Sequence, residues 1–346
     1  MLAAIYDGSG LRLVNRARPR IGSNEALLKV SAASLCGTDL RILDQGHEKI
    51  PPGVKPVLGH EFTGYIIEVG KNVNSLKLNQ RVVVAPNIGC GKCEQCLKGA
   101  NHQCPEYKAF GISFDGGFAE YVRLSAPVIQ RGNIILLPKS LSDKESVLIE
   151  PLSACYNALT SCYLKPGERV LIIGAGPMGI LNLILAGFFG ASMVIVSEVS
   201  QFRGDLARKF GADAVVDPTK VSWEEKIRRL TGGKGVDVAV VAVPVANAQR
   251  QAIEVTAVGG RVNFFGSLPQ NEWVKNFPSN LLHRKHILVT GTSGASNIQF
   301  REVVNIIASK HLPLSKVITH QFSLDQIKEA VEVARSGQGL KIMIHP

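Results

Sequence analysis

Aromatic residues are scarce in this 346-residue sequence, at 6% of the chain, and no run of five basic residues occurs. Together these lacks argue against an RNA binder built on aromatic stacking. Internal repeats and low-complexity segments are missing too, which excludes a solenoid or a propeller array. With 34 Gly and 17 Pro the chain falls well short of a collagen-like composition. No secretory leader is legible, because the apolar start Met1 to Tyr6 meets Asp7 and Gly8 at once. Disulfide scaffolding is also disfavoured. There are 7 cysteines, an odd count, and four sit in one tight cluster. That pattern suits metal binding in a reducing compartment, so a cytoplasmic protein is expected. Charge is absent from Val170 to Ser197, a stretch long enough to span a bilayer. Gly174, Gly176, Pro177, Gly179, Gly187 and Gly190 break it up. Strand, glycine turn, helix and strand are expected there, and no membrane partner.

What is present is apolar content of 45%, spread along the whole chain, which supports ordered cores. The length suits two domains. The net charge is +11, and its densest patch is Arg12, Arg16, Arg18 and Arg20 in a short strand-and-turn stretch. Dispersed charge of this kind fits a basic enzyme better than a nucleic-acid binder.

The first ~150 residues read as short strands and turns, such as Leu27–Ser31, Gly64–Val69 and Arg81–Val84. Ser142-Asp143-Lys144-Glu145 reads as a capped helix start. From Arg169 the rhythm becomes strand–helix alternation: Val170–Ile173, Pro177–Phe189, Met193–Val196, Phe202–Phe210, Ala214–Val216, Val236–Val243, Asn247–Thr256 and Arg261–Phe265. Such alternation implies βαβ units and a parallel sheet. After Leu288 the pattern loosens into helix Phe300–Ser309, strand Val317–Phe322, helix Asp325–Arg335 and strand Leu340–Ile344.

Four constellations carry chemistry. Gly174-Ala175-Gly176-Pro177-Met178-Gly179 follows an apolar strand and opens a helix. It matches the phosphate-cradling G-x-G-x-x-G turn. The helix N-terminus there offers N–H groups to a pyrophosphate. Glu198 ends the next strand, where a carboxylate accepts from ribose hydroxyls and repels a 2′-phosphate, favouring NAD over NADP. Arg203 keeps NADP as the lesser alternative.

Cys90, Cys93, Cys96 and Cys104 can wrap one zinc ion tetrahedrally, a closed and therefore structural site, with an iron–sulfur cluster or unrelated thiols as lesser alternatives. Cys36-Gly37-Thr38-Asp39 and Gly59-His60-Glu61 offer thiolate, imidazole and carboxylate, a set that suits a catalytic zinc with an open position. Asp39 is placed to orient the His60 ring. Glu150, in an apolar stretch before Pro151, calls for a partner such as a metal or its bound water. Cys155 and Cys162 read as buried small residues. His47, His102, His283, His286, His311, His320 and His345 receive no role.

In this order, and with Asp115-Gly116-Gly117-Phe118-Ala119-Glu120-Tyr121 between them, the motifs resemble the zinc-dependent medium-chain dehydrogenase/reductase family end to end. The resemblance implies an α/β protein with a GroES-like β-barrel catalytic domain, residues 1–150 and 290–346, carrying a zinc lobe at about 86–106. An inserted Rossmann doubly wound parallel-sheet domain would occupy 151–289, with the active site in the cleft between domains. Glu150 resembles the polyol, sugar-alcohol-phosphate and threonine branches, where catalytic zinc is held by the counterparts of Cys36, His60 and Glu61, and Glu150 ligates directly or through water.

The expected activity is NAD-dependent oxidation of a polyol, with two zinc ions per subunit and Thr38 taking the substrate proton. The alternatives are L-threonine or a sugar-alcohol phosphate as substrate, and, more distantly, a nucleic-acid-binding zinc protein. By the resemblance Phe118 would line the cleft, with a place in the core as the equal alternative. Many relatives carry His five residues after the first cysteine ligand; this chain has Arg41, which cannot act as a base at neutral pH. Homotetramers or dimers are implied, pairing through an edge formed by Arg261–Phe265 and the segment after Gly266.

Overall fold

A nine-residue strand, Ala26–Ser34, organises the first of two structural units because all but two of its residues are buried. The computed structural model describes residues 1–309 and 312–346, so His311 lies outside the described residues. The units are Met1–Ser153 with Gly294–Pro346, and Ala154–Ser293.

In the first unit one sheet runs in the order Ile318–Ser323, Lys341–His345, Ala26–Ser34, Glu61–Val69, Arg81–Val84, Ile134–Leu136, with Tyr121–Leu124 also paired to Ala26–Ser34. The C-terminal strand is thus hydrogen-bonded to an N-terminal one. Register sets the neighbours of Ser34, which lies opposite Glu61 on one side and opposite Met343 on the other. Two strands remote in sequence therefore flank it. The core beneath is aliphatic and aromatic, with Phe62 and Phe110 in edge-to-face contact at 5.5 Å. Phe118 is fully buried in this core, so it packs there and does not line a cleft.

The second unit holds a six-stranded parallel sheet in the order Ala214–Val216, Met193–Ser197, Arg169–Ile173, Val236–Val241, Thr256–Phe264, Leu288–Gly291. From Arg169–Ile173 the chain winds outward one way, then returns to the other side. That reversal is the topological switch point where open α/β sheets bind ligands. The uncharged stretch resolves into strand, turn, the helix Pro177–Phe188 and strand. Among the described residues no helix is long and apolar enough to cross a membrane.

One further expectation needs correction, and one element was missed. The segment Arg261–Phe265 is not an edge: Thr256–Phe264 is paired on both sides, and Leu288–Gly291 forms the border instead. A helix at Trp223–Leu230 also escaped the sequence reading. Its apolar residues Trp223, Ile227 and Leu230 recur at helical spacing, but the charged residues between them masked the pattern. Trp223 donates from Nε1 to Ser197 Oγ at 3.0 Å.

Strand ends are tied by Arg169, whose guanidinium donates to both Asp237 oxygens at 2.8 Å. Burial pushes the Asp237 carboxyl up, but hydrogen bonds from the Arg169 side chain and backbone outweigh it and hold the group below its ordinary 3.8. A depressed carboxylate stabilises the fold above its unfolded pKa and loses that contribution as pH falls through its folded value. Asp237→Asn is therefore expected to cost about 1–2 kcal/mol at pH 7, discounted for partial exposure. The deficit should shrink below pH 3.8 in denaturant titrations. A gap that stays constant into acid would refute this.

Candidate active site

Cys36 caps the helix Gly37–Gln45 from an extended backbone. Its N–H donates to Asp39 Oδ2 at 2.9 Å. The other oxygen, Asp39 Oδ1, stands 3.5 Å from His60 Nδ1. One fully buried carboxylate thus braces both residues, as the sequence suggested for His60 alone. Burial works against a charged His60, yet the Asp39 carboxylate and the Cys36 sulfur raise its pKa well above the ordinary range.

Ligand atoms of Cys36, His60 and Glu61 all lie within 4.8 Å of one another. Glu61 is fully buried. Its Oε2 accepts from Lys341 Nζ and Ser34 Oγ, while its Oε1 has no hydrogen-bond partner. A partnerless buried carboxylate oxygen beside a thiol and an imidazole is a donor set that could hold a metal ion. Glu150, in the first turn of the helix Ile149–Ser161, is 9% exposed and stands outside that 4.8 Å set. Burial pushes its carboxyl up to about 7, His60 opposes the rise and Glu61 adds to it. It therefore faces the cluster electrostatically. Thr38 is half-buried, and its Oγ1 accepts from Arg41 Nη2 at 3.3 Å.

Sequence reasoning missed Lys341 and Ser34. The one available signal was a lysine inside the apolar closing strand, Lys341–His345. The role of Asp115-Gly116-Gly117-Phe118 was also hidden. Gly116, Gly117 and Phe118 donate their N–H groups to Val57, Gly59 and Leu58, and Asp115 Oδ1 accepts from Val57 N–H at 2.9 Å. The segment is a splint that fixes the residues just before His60. Gly59 sits at φ +88, and a side chain on Gly116 would run into its carbonyl oxygen, so both positions require glycine.

The four-cysteine lobe is folded as a compact knuckle. Sulfur atoms of Cys90, Cys93, Cys96 and Cys104 also lie within 4.8 Å of one another. Cys104 Sγ accepts from Cys90 N–H at 3.2 Å, and Cys90 Sγ from Cys93 N–H at 3.3 Å. Backbone N–H groups of Lys92 and Cys93 hold the Cys90 thiol down at about 6, which favours its thiolate.

In the second unit Gly174 has φ +101, and a side chain on Gly179 would strike the Gly174 carbonyl oxygen. Gly176 has nothing near its missing Cβ, leaving open space at the N-terminus of the helix Pro177–Phe188. Turn, open approach and close helix–strand packing are thus divided among the three glycines as the motif requires. Pro177 begins the helix, and the Met178 carbonyl accepts from Asn182 Nδ2 at 2.9 Å. Glu198, 9% exposed, accepts from Ala175 N–H at 2.7 Å and Ser200 N–H at 2.9 Å. It fastens the glycine turn, a task the sequence did not suggest. Glu198 also lines a cavity of about 280 Å³ with Gly174, Ser197, Thr219, Val243 and Asn247. Arg203 is half-buried on the following helix, Gln201–Lys209.

Known proteins resemble the chain throughout. A model described as alcohol dehydrogenase GroES-like domain matches residues 22–131, and one described as zinc-binding dehydrogenase matches residues 177–309. L-threonine 3-dehydrogenase of Pyrococcus horikoshii is 36% identical over 342 residues, covering 97% of this chain and 95% of that protein. Sorbitol dehydrogenase of Bacillus subtilis is 31% identical over 348 residues, covering 99% and 96%. A zinc-binding dehydrogenase from Sinorhizobium meliloti, solved bound to NADP, superposes with a TM-score of 0.91 at 30% identity, covering 100% and 99%.

Proposed function

We propose a function from one premise: the chain belongs to the zinc-dependent medium-chain alcohol dehydrogenase family. The reading is NAD-dependent oxidation of a secondary alcohol on a polyol. The observation that carries it is the trio Cys36, His60 and Glu61, half-buried, buried and buried, with the Glu61 Oε1 atom partnerless. These donors fit zinc; Glu150, buried but outside the 4.8 Å set, would join directly or through water by the family resemblance. Zinc held there would supply Lewis acidity to the substrate hydroxyl, and bound NAD⁺ would accept the hydride.

The chain's own groups do the rest. Asp39 Oδ1, 3.5 Å from His60 Nδ1, favours a proton on that nitrogen, which would leave the lone pair of the other ring nitrogen for zinc. Arg41 fills one lone pair of Thr38 Oγ1, and the second would receive the substrate's proton as the Thr38 O–H passes its own outward to a ribose hydroxyl or water. Glu198 uses one of about four acceptor sites on the glycine turn and one on Ser200 N–H, so two remain for ribose hydroxyls. Its charge disfavours a 2′-phosphate, so NAD is preferred to NADP. Cys90, Cys93, Cys96 and Cys104 would hold a second, structural zinc.

A second reading, L-threonine as substrate, is favoured by the relatives of that name and by Arg41, a cation suited to a carboxylate. We infer a cytoplasmic protein, because its seven cysteines form no disulfide among the described residues. Self-association to a homotetramer, or a dimer, would cover the border strand Leu288–Gly291 and the exposed Trp273. Initial rates of NADH formation test the substrate reading. The panel is sorbitol, xylitol, galactitol, L-threonine, a hexitol phosphate and a primary alcohol, each with NAD⁺ and NADP⁺. Turnover of a polyol with NAD⁺ is the expected result. Turnover of threonine alone selects the second reading, and turnover of the primary alcohol alone sinks both.

A further inference from the structure

A lysine in the core beside a metal site is a puzzle. Lys341 is 2% exposed, and burying an ammonium is costly unless it is paired. Its charge would also repel a zinc ion, so metal affinity does not account for it. Its contacts do. Nζ donates to the Leu35 carbonyl at 2.8 Å and to Glu61 Oε2. Ser34 Oγ donates to the same Oε2. Glu61 thus has one oxygen held by two donors and the other, Oε1, with none. The asymmetry is built by the sheet, since Ser34 stands between the strands that carry Glu61 and Lys341.

We propose that Lys341 is a positioning residue which restricts Glu61 to ligation through Oε1 alone, keeping a coordination position free for substrate. A carboxylate can bind a metal through one oxygen or two, and a free Oε2 would swing in and close the site. The ammonium outcompetes that second bond because it is already seated, desolvated and bonded to Leu35. Ser34 reinforces it. The inference rests on the zinc reading of Cys36, His60 and Glu61.

Cobalt(II) in place of zinc in the full-length protein tests it, because visible ligand-field bands weaken as coordination rises above four. Subtracting the spectrum of His60→Ala removes the contribution of the four-cysteine lobe. Wild type should give a strong band. Lys341→Met should weaken it several-fold, slow metal loss to a chelator and lower kcat more than it changes KM. Lys341→Arg should restore the wild-type band, and Ser34→Ala, which keeps the lysine charge, should give an intermediate one. If Lys341→Met fails to fold, Ser34→Ala decides. Wild-type bands and wild-type metal loss in the folded variants would overturn the inference. A wild-type protein that takes no cobalt outside the lobe would instead overturn the zinc reading itself.

Discussion

His60→Ala is expected to stop turnover while the protein still folds, and to reduce bound zinc from two ions per chain to one. The physical case is strong because the imidazole has no substitute nearby. Cys36 and Glu61 remain, but Glu61 offers only Oε1, its other oxygen being held by Lys341 and Ser34. Glu150 stands outside the 4.8 Å set, and two remaining ligands with at most a water-bridged third carboxylate do not retain zinc at a catalytic site. Losing Lewis-acid stabilisation of several kcal/mol corresponds to about 10³-fold in rate at 1.36 kcal/mol per factor of ten. The fold should survive, because the segment before His60 is splinted by residues 115–118 through backbone bonds. Elemental analysis and steady-state rates read the two effects together. Cys93→Ser supplies the contrast: it should remove the other ion and lower thermal stability, leaving the Cys36–His60–Glu61 metal in place. A His60→Ala protein that keeps both ions and measurable turnover would place the catalytic metal elsewhere.

Glu198→Ala should raise the KM for NAD⁺ tenfold to a hundredfold, and should change NADP⁺ use far less. Hydrogen bonds to a charged group contribute about 1.5–3 kcal/mol each, which sets that range. The substitution acts in two ways. It removes the acceptors available to a ribose diol, and it frees the Ala175 N–H that fastens the glycine turn. The second effect weakens both cofactors. The first is specific to NAD⁺, and for NADP⁺ it is offset by relief of charge repulsion. The ratio of kcat/KM for the two cofactors isolates the specific part. An unchanged ratio would leave Glu198 as a turn fastener only.

The legible parts of this protein share one property: their partners are close in sequence. Four cysteines within 15 residues need only local turns to meet. The glycine turn reads out of its own spacing, since Gly174 and Gly179 touch across a single strand–helix junction. The helix start at Ser142 was equally local, with Ser142 and Glu145 exchanging hydrogen bonds. The helix Trp223–Leu230 shows the limit, because its charged face hid three apolar residues.

By itself, then, the sequence determined the α/β class, the two sets of candidate metal ligands as residue types and the glycine turn. Each depends on chain geometry over a few residues. Only the tertiary structure decided that Asp39 braces Cys36 and His60 together, that Phe118 is core, and that Glu61 has one oxygen tied and one free. Lys341 lies 280 residues from Glu61, and strand register alone brings them together. Register is set by the burial of whole strand faces, a cooperative property of the sheet, so no local pattern around Glu61 or Lys341 records their meeting.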